Sequence, residues 1–188
     1  MGKIKESEIV EQWSVLVEGA EGRQQEFYGL IEEQLKALQP PRLQTSQEKV
    51  YPSLMRRLKG ESKIFLIIKN KYFDGYIAHA GAEDYGKQLN ISWYLVQRAS
   101  KFARIMSYLP GFLALPLYPI YAIYTFYEKF ISRRVTFENM DLFDRNELGA
   151  FAGTVHHAVT SSSQVIASTV GFDFSKVDQK SKGFLNLN

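Results

Sequence analysis

The sequence KIFLIIKNKYFDGYIAHAGAEDYGKQLNISWYLVQ, residues 63–97, decides the fold of this chain. Its three runs at 63–71, 72–80 and 88–97 are rich in β-branched and aromatic residues and are separated by turn sequences, a pattern typical of strands. In the third run, Leu89, Ile91, Trp93 and Leu95 occupy alternate positions and therefore share one face. The segment predicts an antiparallel meander that packs one face on helices.

The N-terminal part of the chain carries a helical pattern. Apolar residues recur every three or four positions over residues 5–39, a spacing typical of amphipathic helix. Gly19 and Gly22 predict one bent helix or two consecutive ones, and Pro40 with Pro41 ends it. Within residues 42–98, a further strand at 43–51 has a weaker pattern.

The C-terminal part predicts one long helix over residues 144–171. Asp144 and Glu147 have the spacing of a capping box, and Gly171 is a suitable end. Gly149 and Gly153 are expected to mark close packing of this helix. Residues 172–188 are expected to form a loosely attached tail. The stripe that should face the core consists of Leu148, Phe151, Val155, Ala158, Ser162, Ile166 and Val170.

These patterns predict a single α+β domain over residues 1–188. We expect an antiparallel sheet of three to five strands, flanked by the N-terminal and C-terminal helices. An apolar, proline-interrupted hairpin at residues 100–131 would be inserted between the last main strand and the final helix.

The most unusual stretch is IMSYLPGFLALPLYPIYAIYTFY, residues 105–127, which contains no charged side chain. A straight helix of this length would extend about 35 Å, enough for a hydrocarbon core of about 30 Å. However, Pro110, Pro116 and Pro119 interrupt a helix, and a single crossing would separate the sheet from the final helix. A shallow hairpin bent at Pro110 and Gly111 avoids both problems. A single span, a buried core and an oligomer interface are the alternatives.

Basic residues surround this apolar stretch. Residues 99–134 carry five basic side chains and one glutamate, whereas residues 1–41 carry four basic side chains and eight glutamates. Anionic headgroups attract such basic flanks, and tyrosines favour the headgroup boundary. The predicted membrane-inserting residues are Phe112, Leu113, Leu115, Leu117 and Ile120; the interfacial aromatic residues are Tyr108, Tyr118, Tyr121, Tyr124 and Tyr127; the headgroup-contacting residues are Lys101, Arg104, Lys129, Arg133 and Arg134.

Motifs for catalysis are missing from the sequence. It has no cysteine, which excludes disulfides and thiol chemistry, and no glycine-rich phosphate-binding motif. His156 and His157 are adjacent on the predicted helix and point about 100 degrees apart, so they cannot bind one metal ion together. A site formed by His79, His156 and a carboxylate is an alternative. We predict no catalytic residue, no metal and no cofactor, and do not expect nucleic acid as a partner.

The favoured function is a non-enzymatic, membrane-associated adaptor or assembly subunit, anchored by a monotopic or re-entrant apolar hairpin. The polar N-terminus has no secretory signal, so the cytoplasmic face of a membrane is expected. The expected partners are the lipids of an anionic leaflet and either another protein or a second copy of the chain. One alternative is a soluble carrier of a lipid or other hydrophobic ligand, and another is an enzyme that uses His79 or His156.

Overall fold

The computed structural model describes residues 8–50, 62–73, 75–98, 119–120, 122–123, 140–183, 185 and 187. Within them, six strands form one antiparallel sheet in the order β2-β3-β4-β5-β1-β6, and two helices pack on it. The elements are β1 (Ile9–Glu18), α1 (Gln24–Leu38), β2 (Leu43–Val50), β3 (Lys63–Asn70), β4 (Tyr76–Tyr85), β5 (Gln88–Gln97), α2 (Leu142–Thr169) and β6 (Lys182–Gly183).

The predicted α+β class is confirmed, and the described residues form a sheet of six strands where three to five were expected. The meander is formed by β3, β4 and β5, whose antiparallel pairing follows chain order. β5 has the predicted bounds, and β3 ends one residue early. β4 begins at Tyr76 rather than at position 72. It also ends later than expected, because residues 81–85 extend the strand where a turn was predicted. Most of the predicted hairpin at residues 100–131 lies outside the described residues.

The prediction of helix throughout residues 5–39 is wrong in its first half, where β1 is a strand. Glu11, Trp13, Val15 and Val17 are buried and alternate with exposed residues, the period of a strand. This alternation competes with the three- and four-residue spacing of other apolar residues, and pairing with β5 favours the strand. Gly19 and Gly22 adopt positive φ in the turn that leads to α1, so they end the strand instead of bending a helix.

The two helices cover one face of the sheet, which we call the first face. Tyr28 of α1 binds both neighbouring strands, because its hydroxyl donates to the carbonyl of Ile64 at 2.8 Å and accepts from the amide of Ala82 at 3.1 Å. From α2, the predicted stripe is buried apart from Val170, which is half-buried. The predicted inward face of β5 is confirmed, since its four residues, Leu89, Ile91, Trp93 and Leu95, belong to this core.

The opposite side of the sheet, the second face, has an apolar centre. Strand register places Ile67, His79 and Tyr94 in one row across β3, β4 and β5. Ile67 and His79 are buried, although neither belongs to the core under the helices. The Phe65 ring lies over Gly81, where an added Cβ would come within 2.5 Å of the ring.

α2 begins two residues before the predicted start. Asp141 is its N-cap: the Asp141 carboxylate accepts from the Asp144 amide at 2.8 Å, and the Asp144 carboxylate accepts from the Asp141 amide at 3.4 Å. The capping box therefore joins Asp141 to Asp144 rather than Asp144 to Glu147. Gly171, with positive φ, follows the helix end as predicted.

The expectation of close packing at Gly149 and Gly153 is wrong for the part of the chain that the structure describes. A Cβ added at either glycine would meet no atom within 4 Å. The small residues of α2 that are buried lie on its stripe, among them Ala158 and Ser162.

The C-terminal segment docks on the sheet, so the prediction of a loosely attached tail is wrong. Phe174 is buried, and β6 pairs with β1 at Glu11 and Gln12. The Trp13 indole N–H donates to the carbonyl of Asp178 at 2.7 Å. These contacts join residues about as far apart in the chain as possible, and no local pattern reveals them.

The sheet has two ends, which the antiparallel register defines. At the proximal end β3 ends at Asn70, β4 begins at Tyr76, and β5 ends beside it at Gln97. At the distal end a tight turn joins β4 to β5, and Gly19 donates to the carbonyl of Lys87 at 2.9 Å. α2 runs from the proximal to the distal end, since its last residue, Thr169, accepts from the Arg23 guanidinium at 2.7 Å beyond the end of β1.

Candidate functional site

The described residues on either side of positions 99–139, which contain the apolar stretch, both lie at the proximal end. Positions 99–139 follow β5 and its last described neighbour, Arg98, whose amide donates to the carbonyl of Gly75 at 2.7 Å. They precede α2, where the Tyr72 hydroxyl donates to the Asp144 carboxylate at 3.4 Å. Tyr72 lies in the connection between β3 and β4, so α2 begins beside the strand ends.

Two buried residues that flank the apolar stretch in sequence are joined in the core. The indole N–H of Trp93 on β5 donates to Nδ1 of His156 on α2 at 3.0 Å. Trp13 of β1 packs edge-on against the same imidazole, with ring centroids 6.2 Å apart. Burial lowers the pKa of His156, the Gln179 backbone and the Glu11 carboxylate oppose that shift, and His157 adds to it. The neutral ring therefore fixes α2 on the sheet.

One of the predicted membrane-inserting residues lies within the described part of the chain. Ile120 is helical and 53% exposed, and the helical residue Ile123, which was not assigned a role, is 70% exposed. Large apolar side chains with such exposure on a helix are available for contact with an apolar partner. The other predicted site residues lie outside the described residues: Lys101, Arg104, Tyr108, Phe112, Leu113, Leu115, Leu117, Tyr118, Tyr121, Tyr124, Tyr127, Lys129, Arg133 and Arg134.

Among the described residues, no helix combines the length and the hydrophobicity that a membrane crossing requires.

The proximal end also exposes apolar side chains outside residues 99–139. Leu142 and Phe143, the first two residues of α2, are 68% and 76% exposed, and Tyr72 is 45% exposed. Arg42, Lys71 and Arg145 are exposed close by in the chain or in the fold. Sequence analysis missed these residues, because they come from three separate connections and no spacing rule relates them.

His79 and His156 do not share a site. His79 lies on the second face of the sheet, whereas His156 belongs to the helix on the first face. Burial lowers the pKa of His79 to about 4, and the positive charges of Arg98 and Lys69 act in the same direction. In the described ranges, no group of three or more His, Asp or Glu side chains is placed to hold a metal ion.

The buried carboxylate of Glu11 binds the C-terminal segment to β1. Glu11 accepts hydrogen bonds from the Ser181 hydroxyl and, at 2.7 Å, from the amide of Leu185. The Ser181 amide donates to the carbonyl of Leu187 at 2.9 Å, and its hydroxyl accepts from the Leu187 amide at 2.9 Å. Both carboxylate oxygens of Glu11 therefore accept a hydrogen bond, one from the Ser181 hydroxyl and one from the Leu185 amide, which accounts for this buried acidic residue without a catalytic role. The sequence signal for the burial of Glu11 was its position in the alternating pattern of β1, two residues before Trp13.

Comparison with protein-family models, with curated proteins and with solved structures finds no match for this chain.

Proposed function

We propose that this protein is a non-enzymatic, membrane-associated adaptor or assembly subunit. A monotopic or re-entrant hairpin within residues 100–131 anchors it to the anionic cytoplasmic face of a membrane. The main support for the proposal is the exposure of Ile120 and Ile123. Both are large apolar residues in helical conformation, within a stretch that has no charged side chain. In water such exposure is unfavourable by about 25 cal/mol per Å² of apolar surface, and lipid removes that cost.

The contacts between sheet and helix support a hairpin over a single span. Trp93 precedes the apolar stretch and His156 follows it, yet they are hydrogen-bonded in one core. The chain therefore has to return to the side of the membrane from which it entered. A hairpin does this, and it also allows Lys101, Arg104, Lys129, Arg133 and Arg134 to meet the same leaflet.

An adaptor also needs a protein partner or a second copy of itself. β2 is the outermost strand on its side of the sheet formed by the described residues. Most of its side chains are exposed. Backbone pairing at such an edge is a common mode of protein recognition. We assign no nucleic-acid partner, cofactor or catalytic residue.

Flotation with vesicles tests the proposal. Purified protein should float with vesicles that contain phosphatidylserine, and Leu113→Asp with Leu117→Asp should abolish flotation, because two carboxylates would have to enter the apolar layer. The matched control adds the same two charges at exposed apolar residues of the distal end, Leu16→Asp and Tyr85→Asp. Circular dichroism checks that both variants fold. Unchanged flotation of the Leu113/Leu117 variant would overturn the proposal.

A further inference from the structure

The proximal end of the domain carries a mixed apolar and basic surface, which we call the proximal patch. It consists of Arg42, Lys71, Tyr72, Leu142, Phe143 and Arg145, all of them exposed. Leu142 and Phe143 are among the most exposed large apolar side chains in the described residues.

The fold fixes the position of each part of this patch. The Tyr72 ring packs at 87° on buried Phe73, with centroids 5.0 Å apart, and its hydroxyl reaches Asp144 of α2. Leu142 and Phe143 follow the capped start of α2, so the capping box holds them outward at its first turn. The Lys71 amide donates to the carbonyl of Arg42 at 3.2 Å, so these two basic residues are neighbours at this end.

The acidic residues near the patch are occupied by structural contacts. Asp141 and Asp144 accept from backbone amides of the capping box. Hydrogen bonds from backbone amides satisfy these carboxylates locally. Capping leaves both carboxylates charged, but Arg42, Lys71 and Arg145 outnumber Asp141 and Asp144, so these five side chains carry a net charge of +1.

The distal end provides a contrast. Tyr85 is 75% exposed there, but the charges around it are of both signs, because Asp84 precedes it, Lys87 follows it, and Glu83 pairs with Lys63. Leu16 is also exposed and lies two residues before Glu18, the last residue of β1. An exposed aromatic residue among charges of both signs gains less at an anionic surface than one whose exposed charged neighbours are mainly arginine and lysine.

We propose that the proximal patch rests on an anionic lipid surface, with Tyr72, Leu142 and Phe143 at the headgroup boundary and the three cations on lipid phosphates. Arg98 and Met140, the described residues that flank this part of the chain, lie at this same end, so the ends of the proposed anchor are next to the patch. The inference rests on the proposed function and extends it, because it assigns the orientation of the folded domain.

A fluorescent probe at a single cysteine tests this orientation. The chain has no cysteine, so Phe143→Cys and Tyr85→Cys each provide one labelling site at an exposed position. Labelled with a polarity-sensitive dye, the Phe143→Cys protein should show a blue shift when phosphatidylserine vesicles are added. The Tyr85→Cys protein should show none.

Binding measurements provide a second readout. Leu142→Ser with Phe143→Ser should weaken partitioning onto anionic vesicles by about tenfold or more, because it removes apolar surface from the interface. Arg42→Gln with Lys71→Gln should weaken it similarly on anionic vesicles and have little effect on pure phosphatidylcholine. Tyr85→Ser is the matched control and should bind as the wild type does.

The outcomes separate this inference from the proposed function. Flotation of the wild type without a blue shift at position 143, or with equal shifts at 143 and 85, overturns the orientation and leaves the anchor standing. Absence of wild-type flotation overturns the anchor and, with it, the orientation. Wild-type binding by both patch variants also overturns the inference, and capture of a protein by the patch in place of vesicles would do the same.

Discussion

Trp93 donates its indole N–H to Nδ1 of His156 at 3.0 Å, and this bond joins the two elements that flank the apolar stretch. Because indole is only a donor, Nδ1 has to be the unprotonated nitrogen and the imidazole has to be neutral. The bond is buried against Trp13. It therefore links the protonation state of His156 to the packing of α2 on the sheet.

A double-mutant cycle measures this link. Trp93→Phe leaves the buried Nδ1 of His156 without a donor and should lower the free energy of unfolding by about 2–4 kcal/mol. In Trp93→Phe with His156→Leu the orphaned acceptor is gone, so the loss should be smaller than the sum of the single losses by about 1 kcal/mol or more. Urea unfolding followed by circular dichroism gives the values. Strict additivity would show that the bond does not couple the two residues.

Stability should fall as the pH is lowered from 7 toward 4. The folded-state pKa of His79 is lowered from 6.5 to about 4, so the unfolded chain binds a proton first and acid favours unfolding within that window. At about 1.4 kcal/mol per pKa unit, His79 accounts for at most about 3.5 kcal/mol. The lowered pKa of His156 acts in the same direction. Stability is regained as the pH rises through 6.5.

The variant His79→Leu isolates this contribution. It removes the titrating ring from an apolar setting, so the variant should lose less stability than the wild type between pH 7 and pH 4.5. Urea unfolding at the two pH values provides the comparison. Equal losses in the two proteins would contradict the assignment of this pH dependence to His79.

Gly183→Ala should detach the C-terminal strand. A Cβ at this position would overlap the carbonyl oxygen of Val10 and crowd the carboxylate of Glu11, and φ of +154° is strained for alanine. We expect a loss of about 1–3 kcal/mol and faster amide exchange at the β1 edge. Gly149→Ala is the control: its Cβ meets no atom within 4 Å, and in a helix it should stabilise by about 0.5–1 kcal/mol. Similar effects of the two changes would argue against docking of β6.

Asp141→Ala should destabilise α2 by about 1 kcal/mol, because the Asp144 amide loses its cap. Glu147→Ala, in the next turn, should change stability by less than about 0.5 kcal/mol. Thermal unfolding of the two variants gives the comparison. A larger effect of Glu147 would favour the capping box that the sequence suggested over the one in the structure.

The sequence alone predicted the meander core, the buried stripe of α2 and the presence of the apolar stretch. Each of these depends on side-chain periodicity within consecutive residues, such as the alternation from Leu89 to Leu95, and local backbone geometry converts that periodicity directly into a face. The end of α2 at Gly171 is equally local, since a positive φ suits glycine.

Only the tertiary structure decided the state of residues 9–18, the docking of the C-terminus and the composition of the proximal patch. β1 is a strand because it pairs with β5, which lies far along the chain. Glu11 is tolerated in the interior because Ser181 and Leu185 donate hydrogen bonds to its carboxylate. Arg42, Tyr72 and Phe143 lie at the same end of the sheet because antiparallel pairing and the direction of α2 bring three connections there. The physical reason is that strand pairing and burial join residues distant in sequence, whereas periodicity records only which side of its own element each residue faces.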